Sequence, residues 1–128
     1  MNALAATVAG TWLVDLETEE VVVQVDEAVE PHAVALELPL LVAAAAAGST
    51  VLAVVDRRPP LVVSHDAGYT WREAGGGLPK GTAVAVDEAN PDRMLYAARN
   101  RLFLSEDGGR FWRALVLELP EITAVAFA

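Results

Sequence analysis

The sequence of 128 residues contains no cysteine and no long apolar run. Without cysteine the chain can form neither disulfides nor thiolate metal sites, as is typical of proteins in a reducing compartment. The two histidines, His32 and His65, lack the spacing typical of a metal site. We therefore predict no metal and no cofactor. The longest apolar run, residues 38–48, is shorter than the ~20 residues of a membrane-spanning helix.

A basic N-terminal segment is also absent. Two acidic residues, Asp15 and Glu17, also interrupt the N-terminal segment too early for the apolar part of a signal peptide. We therefore expect a cytoplasmic protein. Acidic residues outnumber basic ones by 18 to 9, which gives a net charge of −9. Because this surplus repels phosphate backbones and anionic lipids, we expect no nucleic acid and no membrane among the partners. The general effect of the negative charge is to increase solubility, since 54% of the residues are hydrophobic.

Two related octapeptides lie 41 residues apart. Residues 64–71 and 105–112 share the pattern Ser-x-Asp-x-Gly-x-x-Trp. Each follows two short apolar segments that are separated by a polar turn, and each precedes a Leu-Pro pair and a run of small apolar residues. Self-similarity at this period predicts repeated supersecondary units. Each unit would contain four strands, A to D, with the octapeptide between strands C and D.

The octapeptide pattern resembles the Asp-box, or BNR repeat, of sialidases, sortilin-type receptors and photosystem II assembly factors. Those proteins share a β-propeller fold but not a function. The resemblance therefore implies propeller blades and leaves the activity open. A period of 41 residues also suits a four-stranded blade, whose repeats have ~40–45 residues. The fold that we predict is an all-β propeller of four-stranded antiparallel blades.

The whole chain is predicted to be a single domain of three blades. Residues 1–39 match the repeat with a decayed octapeptide and an insertion near 25–31, so they would form a degenerate blade that starts at strand B. Residues 40–79 and 80–120 would each form a blade that contains one octapeptide. The last segment, 121–128, has the small apolar residues of an inner strand A, and it would complete a blade of a partner chain.

Three blades are too few for a closed ring, because known propellers have about four to eight. The strand segments are apolar on both faces. An open arc would therefore expose two apolar faces and two free strand edges. We accordingly predict a homodimer with a six-bladed ring, in which the C-terminal strand of each chain pairs beside residues 3–8 of the other chain.

The octapeptide residues are predicted to be structural. The aspartates can accept hydrogen bonds from nearby backbone N–H groups, and the glycines of the pattern can supply the positive φ that the turn requires. The tryptophans can anchor the turn between sheets. The resemblance implies that such turns lie on the propeller rim, away from the ligand face. The residues assigned this role are Ser64, Asp66, Gly68, Trp71, Ser105, Asp107, Gly109 and Trp112.

No catalytic residue is predicted. A sialidase-like site would need clustered arginines and a tyrosine paired with a glutamate. However, Tyr69 lies in an octapeptide, and Tyr96 lies in a predicted strand without a neighbouring glutamate. We expect a non-enzymatic scaffold or binding protein that closes as a homodimer. The alternative is a glycan-binding or glycoside-hydrolysing protein of the sialidase-like group. Arginines and carboxylates in the mouth of the channel would favour the alternative, and an alanine-lined channel would favour the scaffold.

Trp12 is the one tryptophan outside the octapeptides. Together with the insertion it is the candidate site for a further partner, either a protein or a glycan. The other interpretation is that the Trp12 ring packs beneath the inserted segment.

Overall fold

The computed structural model describes residues 1–30, 34 and 36–128. Within these residues it contains twelve β-strands, and no helix there is long and apolar enough to cross a membrane. The strands are β1 Asn2–Thr7, β2 Gly10–Asp15, β3 Glu20–Val25, β4 Leu41–Ala47, β5 Thr50–Val55, β6 Leu61–Ser64, β7 Arg72–Ala74, β8 Ala83–Val86, β9 Met94–Ala98, β10 Arg101–Ser105, β11 Arg113–Ala114 and β12 Ile122–Phe127.

The strands form three four-stranded antiparallel sheets. Sheet I has the order β12-β1-β2-β3, sheet II has the order β4-β5-β6-β7, and sheet III has the order β8-β9-β10-β11. Sheets II and III are simple meanders, because short turns join strands that are consecutive in the chain. The prediction of an all-β fold with four-stranded sheets that are compatible with propeller blades is confirmed.

The C-terminal strand differs from its prediction. β12 pairs with β1 of the same chain, with Ala5 opposite Val125, and so completes sheet I without a partner chain. Backbone hydrogen bonds extend the ladder at both ends: the N–H of Val8 donates to the carbonyl of Glu121, and the N–H of Ala128 donates to that of Asn2. The expected strand exchange is thus corrected to an intramolecular pairing. The free edge of β1 lies within reach of its own C-terminus, and pairing there involves no loss of translational freedom between two chains.

Sheet III lies between the other two sheets, because β8 packs against both β4 and β12. Side chains of β9 alternate between two cores, as the pleat of a strand requires. Leu95 and Ala97 pack towards sheet I, whereas Met94 and Tyr96 pack towards sheet II. All five residues of β9 are buried. This arrangement explains why the central segments are continuously apolar instead of alternating with polar residues.

The outer face of sheet II is covered by the chain itself. Its buried residues, among them Ala53 and Val62, are packed by Val34, Leu36 and Leu38 from the segment between β3 and β4. This segment follows the predicted insertion at 25–31. There, Val25 ends β3, residues 26–30 have no regular secondary structure, and residue 31 lies outside the described residues.

None of the described residues is packed over the outer face of sheet I in this way. Ala3 and Val14 face sheet III, so their neighbours Leu4 and Leu13, which are paired with each other, face outwards. Val23 of β3 pairs with Leu13 and continues this apolar row across the sheet. The Val23 side chain is 50% exposed. The three sheets therefore form an arc with one uncovered apolar face.

Candidate functional site

The first octapeptide forms the turn between β6 and β7. The Ser64 hydroxyl donates to Oδ1 of Asp66 at 2.7 Å and accepts the N–H of Gly68 at 2.8 Å. The N–H of Thr70 donates to the same Asp66 oxygen at 2.9 Å. Gly68 has a φ of +93°, which residues with a side chain rarely adopt. Hydrogen bonds from the Thr70 hydroxyl, the Thr70 N–H and the Ser64 hydroxyl lower the pKa of Asp66 to about 2.

The second octapeptide repeats this geometry between β10 and β11. The Ser105 hydroxyl donates to Oδ1 of Asp107 at 2.9 Å and accepts the N–H of Gly109 at 2.9 Å. The N–H of Phe111 donates to the Asp107 carboxylate at 3.0 Å, and this bond is the main cause of the lowered pKa of Asp107. Both carboxylates are thus engaged inside their own turns.

The two octapeptide tryptophans pack against different cores. The Trp112 indole N–H donates to the carbonyl of Gly109 at 2.9 Å, and its ring lies edge-on to Tyr96 with a centroid distance of 6.2 Å. Trp112 therefore packs at the core between sheets II and III. Trp71 packs against the outer face of sheet II. These contacts fit the structural role predicted for the octapeptide residues, which stays a prediction.

The turn between β2 and β3 of sheet I is also held by an aspartate, although this residue is not part of an octapeptide. Asp15 at the end of β2 accepts the N–H groups of Glu17 at 2.8 Å and Thr18 at 3.1 Å. These two bonds, led by that from Thr18, lower the pKa of Asp15. Because the octapeptide of residues 1–39 is decayed, its pattern does not point to Asp15. The signal that was available is an aspartate at a strand end, which is typical of an Asx-turn.

Trp12 lies in β2, between Ala5 of β1 and Gln24 of β3. It is half-buried and shares a face of the sheet with both neighbours. Val25, the first residue of the predicted insertion, pairs with Thr11 and thus faces the opposite side. The structure brings Trp12 beside Gln24, and the proposed partner site at Trp12 stays a prediction.

The residues considered for catalysis and metal binding are not brought together. Tyr69 is 89% exposed, whereas Tyr96 is buried, and burial raises the pKa of Tyr96 to about 12. Within the described residues there is no cluster of three or more histidine and acidic side chains that could hold a metal ion. His65 is exposed, and His32 lies outside the described residues.

The inner strands β4, β8 and β12 line a small cavity of about 200 Å³. Its lining consists of alanine, valine and threonine, without a charged side chain. These small residues agree with the small apolar residues that the sequence places in the inner strands. The lining holds no titratable side chain that could act as an acid or base. Its two threonine hydroxyls, of Thr82 and Thr123, donate hydrogen bonds to the carbonyls of Ile122 and Ala6.

A larger groove of about 500 Å³ lies beside the second octapeptide turn. Phe111 and Trp112 line it together with Arg113. Phe111 is 80% exposed. Arg113 forms ion pairs with Glu19 of sheet I at 3.2 Å and with Glu106 at 3.8 Å. No sequence pattern indicates this groove, because Phe111 occupies a variable position of the octapeptide.

Comparison with known proteins identifies a structural neighbour. No family model matches the chain, and no curated protein matches it significantly. Among solved structures, the chain is similar to the crystal structure of a GH74 enzyme from Niastella koreensis, with 23% sequence identity and a TM-score of 0.52. The match covers 63% of this chain and 13% of that chain, so this sequence spans a small part of the enzyme's length. The similarity supports a β-propeller-like fold and nothing finer, and the resemblance to Asp-box repeats stays a prediction.

Proposed function

We propose that this chain is a non-enzymatic propeller scaffold, half of a six-bladed ring that a second copy completes. The order of the sheets along the arc is II, III, I, so the two ends of the arc are the outer faces of sheets II and I. The cavity between the inner strands, lined by alanine, valine and threonine, supports a scaffold more than an enzyme. The absence of cysteine supports the expected cytoplasmic location.

The uncovered apolar face of sheet I carries this proposal. Leu4, Leu13 and Val23 form a row across three strands, and the Val23 side chain is 50% exposed. Sheet III shows how a fully packed blade looks, because neighbouring sheets cover both of its faces. Burying apolar surface stabilises an interface by about 25 cal/mol per Å² before the costs of association. In a second copy, the surface that would meet this row is the outer side of the segment with Val34, Leu36 and Leu38, because that segment covers the outer face of sheet II.

In the proposed ring, sheet I of each copy packs against sheet II of the other. The contact therefore forms twice around one two-fold axis. The segment with Val34, Leu36 and Leu38 covers the outer face of sheet II, so it would lie in the contact. The C-terminal strand stays in its own sheet in this arrangement. The proposed dimer thus rests on packing of sheet faces and needs no strand exchange.

Multi-angle light scattering after size-exclusion chromatography tests the proposal. We expect a mass of two chains of 13.5 kDa each at micromolar concentration. Val23→Glu places a charge on the outer face of sheet I and should shift the protein to a monomer. Phe111→Glu is the matched control, because Phe111 is 80% exposed in the turn between β10 and β11 of sheet III, which takes no part in the proposed contact. A monomeric wild-type protein, or equal dissociation by both variants, contradicts the proposal.

The groove at Phe111 supports a second candidate, a glycan-binding or glycoside-hydrolysing protein. An exposed aromatic ring beside Arg113 and the carboxylates of Glu19 and Glu106 offers stacking and hydrogen-bonding groups to a sugar. The test is calorimetric titration with soluble oligosaccharides, together with a turnover assay on aryl glycosides. Phe111→Ala should abolish binding, whereas Tyr69→Ala in the first octapeptide should not. Absence of both binding and turnover in the wild-type protein argues against this candidate.

A further inference from the structure

Four of the nine basic residues line a single cavity. The cavity has a volume of about 390 Å³ and lies between sheets II and III, beside the β5–β6 and β9–β10 turns. Its charged lining residues are Arg58, Lys80, Arg99 and Arg101, and no acidic side chain lines it. The chain as a whole has a net charge of −9. The fold thus concentrates positive charge at one place on an otherwise acidic protein.

The backbone beneath these side chains is held in place. The carbonyl of Arg99 accepts the N–H of Ile122 at 2.7 Å, and that of Asn100 accepts the N–H of Leu119 at 3.0 Å. Arg99 has a φ of +56°, a left-handed conformation that is uncommon for residues other than glycine, asparagine and aspartate. Phe103 contributes an apolar wall and is itself almost fully buried. A rigid support of this kind favours preorganised binding.

Only half of the positive charge is neutralised by neighbouring carboxylates. Lys80 pairs with Asp56 at 2.9 Å, and Arg101 pairs with Glu118 at 3.2 Å. All four of these side chains are substantially exposed, so each pair contributes little and exchanges readily with a ligand. Arg58 and Arg99 form no ion pair with any carboxylate of the part of the chain that the structure describes.

We propose that this cavity binds a small ligand that carries phosphate or carboxylate groups, with Arg58 and Arg99 as its main contacts. A guanidinium group matches the oxygen spacing of both anions and can donate two parallel hydrogen bonds to them. The cavity lies within the range of ~300–1,000 Å³ that is typical of small-molecule sites. Phe103 and Pro79 in the lining offer an apolar surface to the carbon part of the ligand.

A small anion fits the charge distribution better than a polyanion does. At physiological ionic strength electrostatic interactions extend over ~8 Å, so a ligand inside the cavity experiences mainly the four local cations. An extended polymer would also meet the acidic remainder of the surface and be repelled. This site is independent of the proposed dimer, because the cavity is formed within one chain.

Isothermal titration of the full chain at low ionic strength tests the site, with inorganic phosphate, pyrophosphate and citrate as probes. Arg99→Gln should weaken binding about tenfold or more, since it removes a charged hydrogen-bond donor. Arg110→Gln is the matched control. It removes the same charge from an exposed position in the second octapeptide and should leave the affinity within about twofold of the wild type. Thermal denaturation first establishes that each variant is folded, and Arg58→Gln replaces Arg99→Gln if the latter is not.

The probes also distinguish the two sources of the anion. Tighter binding of pyrophosphate than of citrate supports a phosphorylated ligand, and the reverse order supports a polycarboxylate. The proposal is overturned if the wild-type protein binds none of the probes up to about 10 mM. It is equally overturned if Arg110→Gln weakens binding as much as the cavity variants do.

Discussion

The hydroxyl group of Tyr96 donates a hydrogen bond of 2.6 Å to the carbonyl oxygen of Pro79. This bond joins β9, at the centre of sheet III, to the connection that leads from sheet II into sheet III. Tyr96 is fully buried, and its ring contacts Phe103 and Trp112 with centroid distances of 5.9 and 6.2 Å. A single side chain thus fixes the connection between two sheets and packs the core between them.

Replacement of the Tyr96 hydroxyl should destabilise the protein. Tyr96→Phe keeps the ring but leaves the Pro79 carbonyl without its donor, so we expect a loss of about 1 kcal/mol in the free energy of unfolding. Urea denaturation at a fixed protein concentration measures this loss. Tyr69→Phe is the control, because Tyr69 is 89% exposed and should change stability by less than about 0.5 kcal/mol. Equal stability of both variants would show that the Tyr96 bond contributes nothing.

Gly81 is predicted to be irreplaceable by alanine. A Cβ atom at Gly81 would lie 2.3 Å from the Tyr96 ring, closer than two carbon atoms can approach. Because the ring is confined by the core, Gly81→Ala should destabilise the protein by about 1–3 kcal/mol. At Gly76 a Cβ atom would meet nothing within 4 Å, so Gly76→Ala should be close to neutral. Thermal and urea denaturation of the two variants give the comparison, and a neutral Gly81→Ala would contradict the packing described for Tyr96.

Much of the fold could be predicted from the sequence, because the strands repeat locally visible signals. The octapeptides mark two turns, and fully apolar segments such as Met94–Ala98 mark strands buried on both faces. The partner of Ile122–Phe127 could not be predicted in the same way, since its apolar pattern suits the edge of β1 in either chain. The pattern establishes that a strand belongs beside β1, and only the spatial path of the chain decides which copy supplies it.

The strand after the second octapeptide is also shorter than its sequence suggests. An apolar segment at 113–119 predicts a full strand D, but β11 comprises only Arg113–Ala114. Leu115 and Leu119 still donate backbone hydrogen bonds to the carbonyls of Leu102 and Asn100. Both leucine side chains are buried in the core between sheets I and III. The segment thus packs between two sheets and does not form a continuous strand. The pattern of apolar residues is the same in both cases, so the sequence does not distinguish them.

The candidate sites could be predicted less well than the fold. Arg58, Lys80 and Arg99 belong to three separate turns, each of which in the sequence resembles an ordinary solvated loop. Their convergence depends on how sheets II and III pack together. At the Phe111 groove, the ion pair that Arg113 forms with Glu19 of the β2–β3 turn likewise depends on how sheets I and III pack together. Sites formed between repeats leave no local pattern, whereas the turns inside each repeat do.

Trp112 is predicted to contribute much more stability than its neighbour Phe111. Its ring packs against the core between sheets II and III, and its indole N–H is bonded to Gly109. Trp112→Ala should therefore destabilise the protein by about 3 kcal/mol, the lower end of the range for large aromatic truncations, because the ring is half-buried. Phe111→Ala should change the free energy of unfolding by less than about 0.5 kcal/mol, since Phe111 is 80% exposed. A cost below about 1 kcal/mol for Trp112→Ala would be incompatible with the observed packing.

The Asp66 carboxylate should make stability depend on pH in the acidic range. Its pKa is about 2 in the folded protein, compared with an ordinary value of 3.8. Because the folded pKa is the lower one, the unfolded chain binds more protons between these values. The stabilisation is therefore complete above about pH 4 and is lost as the pH falls through about 2.

The difference in free energy of unfolding between the wild type and Asp66→Asn should be constant above pH 4 and shrink below it. The exposed Glu88→Gln serves as the control. A carboxyl ¹³C titration of Asp66 provides the direct measurement, and a midpoint at or above 3.8 would mean that the hydrogen bonds from Ser64 and Thr70 are absent in solution.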